Sequence, residues 1–176
     1  MTNSGPLPDL NARLNAKCAA LSIEATRRWA YVSIRRQRLL VFDGGSLASG
    51  FICSTSAKPP SNRDGSHGTP PGLHCVAEKF GDCAPAGMVF VGRRATGSLY
   101  PELDTMAEPP NRITTRILWL RGLEPGLNAG AGCDSHARYI YIHGTNCEAG
   151  LGTPMSAGCV LLFNADVITV YEALPP

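Results

Sequence analysis

Two short segments in the last third of the chain hold the residue types that nucleophilic chemistry needs. Tyr139-Ile140-Tyr141-Ile142-His143-Gly144-Thr145 reads as a strand ending in a histidine and a glycine turn. Sixteen residues after that histidine, Ser156-Ala157-Gly158-Cys159-Val160 sets a cysteine directly behind a glycine. A strand end holds an imidazole rigidly, and a glycine before a cysteine lets the backbone turn sharply and present both a thiol and amide groups. A thiol ionises near pH ~8.5 and only the thiolate attacks well, so His143 serves either as the ion-pair partner of Cys159 or as the base that takes its proton during attack. The N–H groups of Gly158 and Cys159 are then the natural donors to an oxyanion, each worth on the order of 3 kcal/mol.

Other uses of the same residue types compete with this one. The chain has 7 cysteines, so an odd thiol remains if the others pair. Cys133-x-x-His136 and His143-x-x-x-Cys147 imitate a zinc spacing. His136 and His143 are seven residues apart, however, and along a strand an odd separation sends two side chains to opposite faces, so no metal site is expected. A disulfide between Cys133 and Cys147, which flank that strand, is more plausible, although the pairing stays open. A papain-type peptidase is disfavoured because there the cysteine precedes the histidine by a long way. His74 reads as a packed structural histidine and His67 as a loop residue. Trp29 and Trp119 read as core residues, either of which can instead line a groove. Tyr139 and Tyr141 share the parity of His143, so Tyr141 is expected to border the site.

The elements that must position these residues follow from pattern. With 176 residues, 44% hydrophobic and 17% charged, the chain is long enough for one domain with a real core. Its 19 glycines and 14 prolines favour a β-rich architecture over a helical bundle. Asp9 followed by Leu10, Leu14, Cys18 and Leu21 predicts an amphipathic helix over 9–22 with Asp9 as its N-cap. Eight β-type runs come next: 30–34, 39–42, 51–55, 73–76, 88–91, 116–120, 139–143 and 160–163, with turns at 35–37 and 43–45. Two long loops are expected at 56–71 and 94–111, and a last short helix over 167–173 with Asn164 as a possible cap. The fold class expected is mainly β, a sandwich or barrel with a short N-terminal and a short C-terminal helix.

A net charge of +2 from 16 basic and 14 acidic residues is too balanced to imply a nucleic-acid partner. Seven of the basic groups fall within residues 1–42, which reads as a solvated edge or as a surface for an anionic polymer, and no Lys or Arg follows Arg138. No run approaches the length of a membrane-spanning helix, and the opening Met1-Thr2-Asn3-Ser4-Gly5-Pro6-Leu7-Pro8 has neither the basic nor the apolar region of a secretory signal.

His143-Gly144-Thr145, then Pro154-x-Ser156-x-Gly158-Cys159-Val160, then Asn164-x-Asp166-Val167 resembles the L,D-transpeptidase catalytic domain, also called the YkuD domain. The resemblance extends upstream through Ser54-Thr55-Ser56, Thr69-Pro70-x-Gly72-x-His74, Glu78-Lys79-x-Gly81, Pro85-x-Gly87-x-Val89-Phe90-x-Gly92-Arg93 and Thr114 to Leu120. It covers roughly residues 30–174 and implies a catalytic domain over 30–176 preceded by a helical extension, 1–29. It implies a cysteine acyltransferase acting on peptidoglycan stem peptides without metal or organic cofactor, forming 3→3 cross-links or, with water as acceptor, acting as an L,D-carboxypeptidase. It also implies an extracytoplasmic location. Cys159 is then the nucleophile and His143 the base, with the Gly144 carbonyl orienting the imidazole and Gly158 lending an amide. Arg93 is the first choice to meet a substrate carboxylate, ahead of Arg112, Arg116 and Arg138, and Ser156, Tyr141 and Thr145 are assigned with it to substrate binding. The family usually has Arg where this chain has Leu161 and often His where it has Ala157. A rival function is therefore a catalytically impaired peptidoglycan-binding module on the same scaffold.

Overall fold

The computed structural model describes residues 9–100 and 111–176. Helix α1 (Leu10–Ala20) starts where expected, because Asp9 accepts the Ala12 N–H at 2.9 Å and so satisfies one of the orphan donors of the first turn. Leu10 and Cys18 are its buried residues. Two polar contacts hold the helix on the body: Asn11 donates to the Gly45 carbonyl, and Lys17 forms an ion pair with Glu124.

Nine strands follow among the described residues: β1 (Arg28–Ser33), β2 (Arg38–Asp43), β3 (Ser46–Ser54), β4 (His74–Phe80), β5 (Met88–Val91), β6 (Arg94–Leu99), β7 (Ile113–Gly122), β8 (Tyr141–Thr145) and β9 (Val160–Leu162). The mainly β expectation is met. The eight predicted runs each meet a strand, and the ninth, β6, lies in what sequence alone assigns to a loop. Its Arg-Ala-Thr-Gly-Ser-Leu has no apolar alternation to give it away, and it exists because β5 pairs with it across the Gly92-Arg93 turn. The remainder of that predicted loop, residues 101–110, lies outside the described residues.

The strands hydrogen-bond in the order β1-β2-β3-β9-β8-β7-β5-β6. β1 to β3 form an antiparallel meander. β9 lies between β3 and β8, antiparallel to the first and parallel to the second. The other side of β7 is shared by β5, against Ile113 and Thr114, and β4, against residues 117–122. A bulge between Thr114 and Ile117, with Thr115 at φ +67°, marks the changeover.

Side-chain alternation divides this sheet into two faces. On one, Leu39, Val41, Leu118, Ile142, Val160 and Leu162 pack under helix α2 (Asn164–Ala173), which contributes Val167, Val170 and Tyr171. On the other, Phe90, Ile117, Trp119 and Tyr141 form a smaller cluster against which Cys159 packs. Asn164 is not a cap for α2. It is the first helical residue, and the carboxylate of Glu148, from the short 3-10 turn Glu148–Gly150, accepts its N–H at 2.6 Å. At the other end, Lys79 Nζ donates to the carbonyls of Tyr171 and Leu174.

Leu118 is fully buried under α2, whereas Val91 is 70% exposed. Leu118→Ala is therefore expected to lower the free energy of unfolding by about 2–5 kcal/mol and Val91→Ala to change it by less than about 0.5 kcal/mol, as read from urea-induced unfolding.

Candidate active site

β8 and β9 run parallel with Ile142 opposite Val160, His143 opposite Leu161 and Gly144 opposite Leu162. One step back along both strands brings Tyr141 beside Cys159, which stands immediately before β9, and the Tyr141 N–H donates to the Cys159 sulfur at 3.4 Å. Residues of like parity on paired strands project from one face. Tyr141, His143, Cys159 and Leu161 therefore share the face opposite α2, with the cysteine one diagonal step from the histidine.

His143 is only 2% exposed. A carbonyl oxygen can only accept, so the 2.7 Å contact between Nδ1 and the Gly144 oxygen puts the imidazole proton on Nδ1 and leaves the lone pair on Nε2. Burial pushes its pKa down to about 4, against the pull of that hydrogen bond. Gly144 itself has no room for a side chain: a methyl there would lie 2.7 Å from Asn164 Oδ1 and 2.8 Å from the Thr114 carbonyl. Asn164 is in turn fixed on four sides, accepting from the Thr114 and Thr115 hydroxyls and donating to the Thr145 carbonyl and to Glu148.

Cys159 is half-buried, and its thiol donates not to the imidazole but to the Tyr139 carbonyl at 3.5 Å. Burial pushes its pKa up to about 11, opposed by the Tyr141 N–H and by the positive charge of Arg138. Thiol and imidazole are thus both neutral around pH 7. Of the two options left open by the sequence, an ion pair at rest or proton removal during attack, these shifts favour the second.

The other residues named from the sequence have these places. Ser156 is buried, and its hydroxyl donates to the Cys159 carbonyl at 2.6 Å while accepting the Gly158 N–H at 3.2 Å. It builds the turn that presents the nucleophile. In the resting structure the Gly158 amide is thus engaged by the Ser156 hydroxyl. What Gly158 contributes is its φ of +128°, where a side chain would be strained. Thr145 is fully buried, bonded through its hydroxyl to Asn111 and to the Cys147 N–H, so it braces the end of β8. The disulfide considered between Cys133 and Cys147 is not made: the Cys133 thiol faces the Ala129 and Gly130 carbonyls, and that of Cys147 faces the Asn146 side chain.

Arg93 lies against the aromatic cluster beside Cys159. At φ +65° in the β5-β6 turn, it lies over the Trp119 ring at 4.4 Å and donates to the Tyr141 hydroxyl at 3.0 Å. Arg116 is buried elsewhere, on the Ala84 and Thr115 carbonyls. Sequence reasoning did not foresee the stack on Trp119, where the His136 ring lies 3.8 Å away and nearly parallel and the half-exposed Tyr139 ring 5.6 Å away. His136 also meets Glu78 at 3.2 Å, and His74 lies between Ser135 and the Gly72 carbonyl, a packed residue as read. Two open hollows, of about 510 and 320 Å³, are lined by residues of α1, β1, the β2-β3 turn, Lys79 and the end of α2, with neither Cys159 nor His143 among them.

The family model for the L,D-transpeptidase catalytic domain, YkuD, matches residues 27–176. This chain belongs to the L,D-transpeptidase catalytic domain family. Two solved structures are similar to it. One is an L,D-transpeptidase from Mycobacterium smegmatis, 14% identical over 84% of this chain and 54% of that one, with a TM-score of 0.48. The other is Bdellovibrio bacteriovorus Bd1075, 17% identical over 85% of this chain and 45% of that one, with a TM-score of 0.43. The L,D-transpeptidase domain described here thus spans about half the length of the solved chains it matches. No curated protein matches it.

Two tests follow from the buried pair. The folded imidazole takes up its proton only near pH 4, whereas the unfolded one does so near 6.5. Between those values the unfolded chain holds more protons, so this residue makes stability fall as pH drops from about 6.5 to about 4 and adds no further loss below that. Urea midpoints of the wild type are expected to fall more steeply across that window than those of His143→Gln. Gly144→Ala should lower the melting temperature by several degrees, because the new methyl meets backbone and a fixed amide; an unchanged melting temperature would mean that β8 yields there.

Proposed function

We propose that the chain is a cysteine acyltransferase of peptidoglycan stem peptides, forming 3→3 cross-links or, with water as acceptor, removing the terminal residue as an L,D-carboxypeptidase. The catalytic unit is residues 30–176, with 1–29 as a helical extension. The single observation that carries this reading is the common face of Cys159 and His143 on neighbouring parallel strands, with the imidazole tautomer set by Gly144.

In this reading the thiol turns from the Tyr139 carbonyl toward Nε2 of His143. Nε2 takes the proton as sulfur attacks the carbonyl carbon between the third residue of the stem and its terminal D-residue. A C–S bond forms, and the carbonyl oxygen becomes an oxyanion met by the Cys159 N–H, a donor worth about 3 kcal/mol. The C–N bond then breaks, and the imidazolium returns its proton to the departing amine. An amine of a second stem, or water, loses its proton to Nε2 and displaces the sulfur. Arg93 meets the substrate carboxylate beside Tyr141, which makes the Trp119 shelf one wall of the groove. Because the chemistry is carried by thiol, imidazole and amide, no metal or organic cofactor enters it. No helix among the described residues is long and apolar enough to cross a membrane, and an extracytoplasmic site of action is part of the proposal.

A second reading, a peptidoglycan-binding module without turnover, is favoured by two details: the resting thiol is engaged by Tyr139 and Tyr141, and the fully buried Leu161 offers no charge. The two are separated by intact-mass spectrometry after incubation with a disaccharide tetrapeptide, beside a Cys159→Ala control. Loss of the terminal D-residue, with or without a dimer mass, that vanishes in the control is the expected result. No product from a folded sample, together with peptidoglycan binding that survives Cys159→Ala, would replace the enzyme with the binding module.

A further inference from the structure

The segment between β3 and β4 meets the nucleophile turn through the Ala57 N–H, which donates to the Ser156 carbonyl at 3.0 Å, and one side chain ties down its 61–68 stretch. Arg138 donates through Nη1 to the Ser61 carbonyl at 3.1 Å and through Nη2 to the Gly68 carbonyl at 2.7 Å and the Ser66 hydroxyl at 3.3 Å. The Gly68 oxygen lies 3.6 Å from where a side chain on Gly158 would begin, so guanidinium, Gly68 carbonyl and the Gly158-Cys159 turn are contiguous. Arg138 also directly precedes Tyr139, the residue whose carbonyl takes the Cys159 S–H. Its own place is set by the turn over 134–138, where the Asp134 carboxylate accepts the N–H groups of His136 and Ala137.

The charged and titratable groups around this pair are few. Asp64 and Cys133 face Arg138. Arg93 and Tyr139 surround the Tyr141 that touches Cys159, and His143 follows on β8. Arg93 lies over the Trp119 ring and on the Tyr141 hydroxyl, and Arg138 is the cation whose field acts on the Cys159 sulfur. The rigid planar fork sets its donors apart in fixed directions that match these three acceptors, a geometry that a compact ammonium does not specify.

We infer that Arg138 is a positioning residue with two effects: its fork fixes the 56–71 segment as a wall of the substrate groove, and its charge stabilises the Cys159 thiolate while His143 removes the proton. The inference rests on the acyl-transfer reading above and adds to it a source of positive charge where the Gly158 amide supplies none.

The test is the pH dependence of Cys159 alkylation by iodoacetamide, quantified on the Cys159 peptide by mass spectrometry, for wild type, Arg138→Gln and Arg138→Lys. With Gln the profile moves to higher pH, and labelling below the midpoint falls about 10-fold, the equivalent of one pH unit. With Lys, which keeps the charge, labelling stays within about 2-fold of wild type, while KM for the disaccharide tetrapeptide rises more than kcat falls. A Gln profile that superimposes on wild type, or a Lys profile displaced as far as that of Gln, overturns the electrostatic role, and an unchanged KM in Arg138→Lys overturns the wall. Should Arg138→Gln fail to fold, wild type at about 0.1 M and about 1 M salt gives the same comparison, since the screening length falls from about 10 to about 3 Å. An upward shift at high salt supports the charge role and its absence removes it. Alkylation requires no turnover, so a chain that leaves stem peptides untouched still returns a result on the charge of Arg138, and that role and the acyl-transfer reading fail separately.

Discussion

The structure depends on the parallel pairing of β8 with β9. A parallel neighbour cannot be reached by a tight hairpin, so the chain spends residues 146–159 on a crossover and re-enters the sheet directly beside the strand it left, between β8 and β3. That re-entry aligns Ile142 with Val160 and His143 with Leu161, and the period of two then sorts everything else. Ile142, Val160 and Leu162 go under α2 to hold the sheet; Tyr141, His143 and Cys159 go to the other side, where chemistry is possible. A register error of one residue would exchange the two sets, placing an imidazole in the apolar core and exposing the aliphatic side chains.

Burial sets the character of the site. Desolvation acts on the two reacting groups in opposite senses, raising the thiol and lowering the imidazole, so the resting state is uncharged. The main chain does much of the work that side chains do elsewhere: the Gly144 carbonyl fixes a tautomer, the Tyr139 carbonyl and Tyr141 N–H clip the sulfur, and Ser156 folds its own turn through main-chain partners. Such a site tolerates little change in backbone position, which accounts for the density of bonds around Asn164 beneath it.

Residue types and parity were legible in the sequence. The His143-Gly144 and Gly158-Cys159 steps, the helix begun by Asp9, and the chain order of the strands could be read because each depends on local pattern. What could not be read was how hydrogen-bonding capacity is spent. Ser156 and Thr145 look available in a motif and are saturated in the fold; the Gly158 amide looks like a free donor and is taken by a hydroxyl two residues away. Asn164 looks like a cap, yet it gives its N–H to Glu148, a partner sixteen residues back whose position depends on the crossover. β6 was hidden for a related reason, since its pairing with β5 supplies a stability that its own side chains do not advertise. Arg138 and Arg93 were both named, but their different partners come from loops whose paths no periodicity encodes.

The position of β9 between β3 and β8 bears on synthesis. Ser54 and Leu161 are partners in the sheet although more than a hundred positions separate them along the chain. Strand β3 therefore waits, with one edge unpaired, while most of the polypeptide leaves the ribosome, and the sheet becomes continuous only when residues 160–162 slide in. The nucleophile stands at the threshold of that final strand. A nascent or truncated chain thus has its histidine strand before it has a presented thiol, and assembly of the reactive pair coincides with closure of the fold.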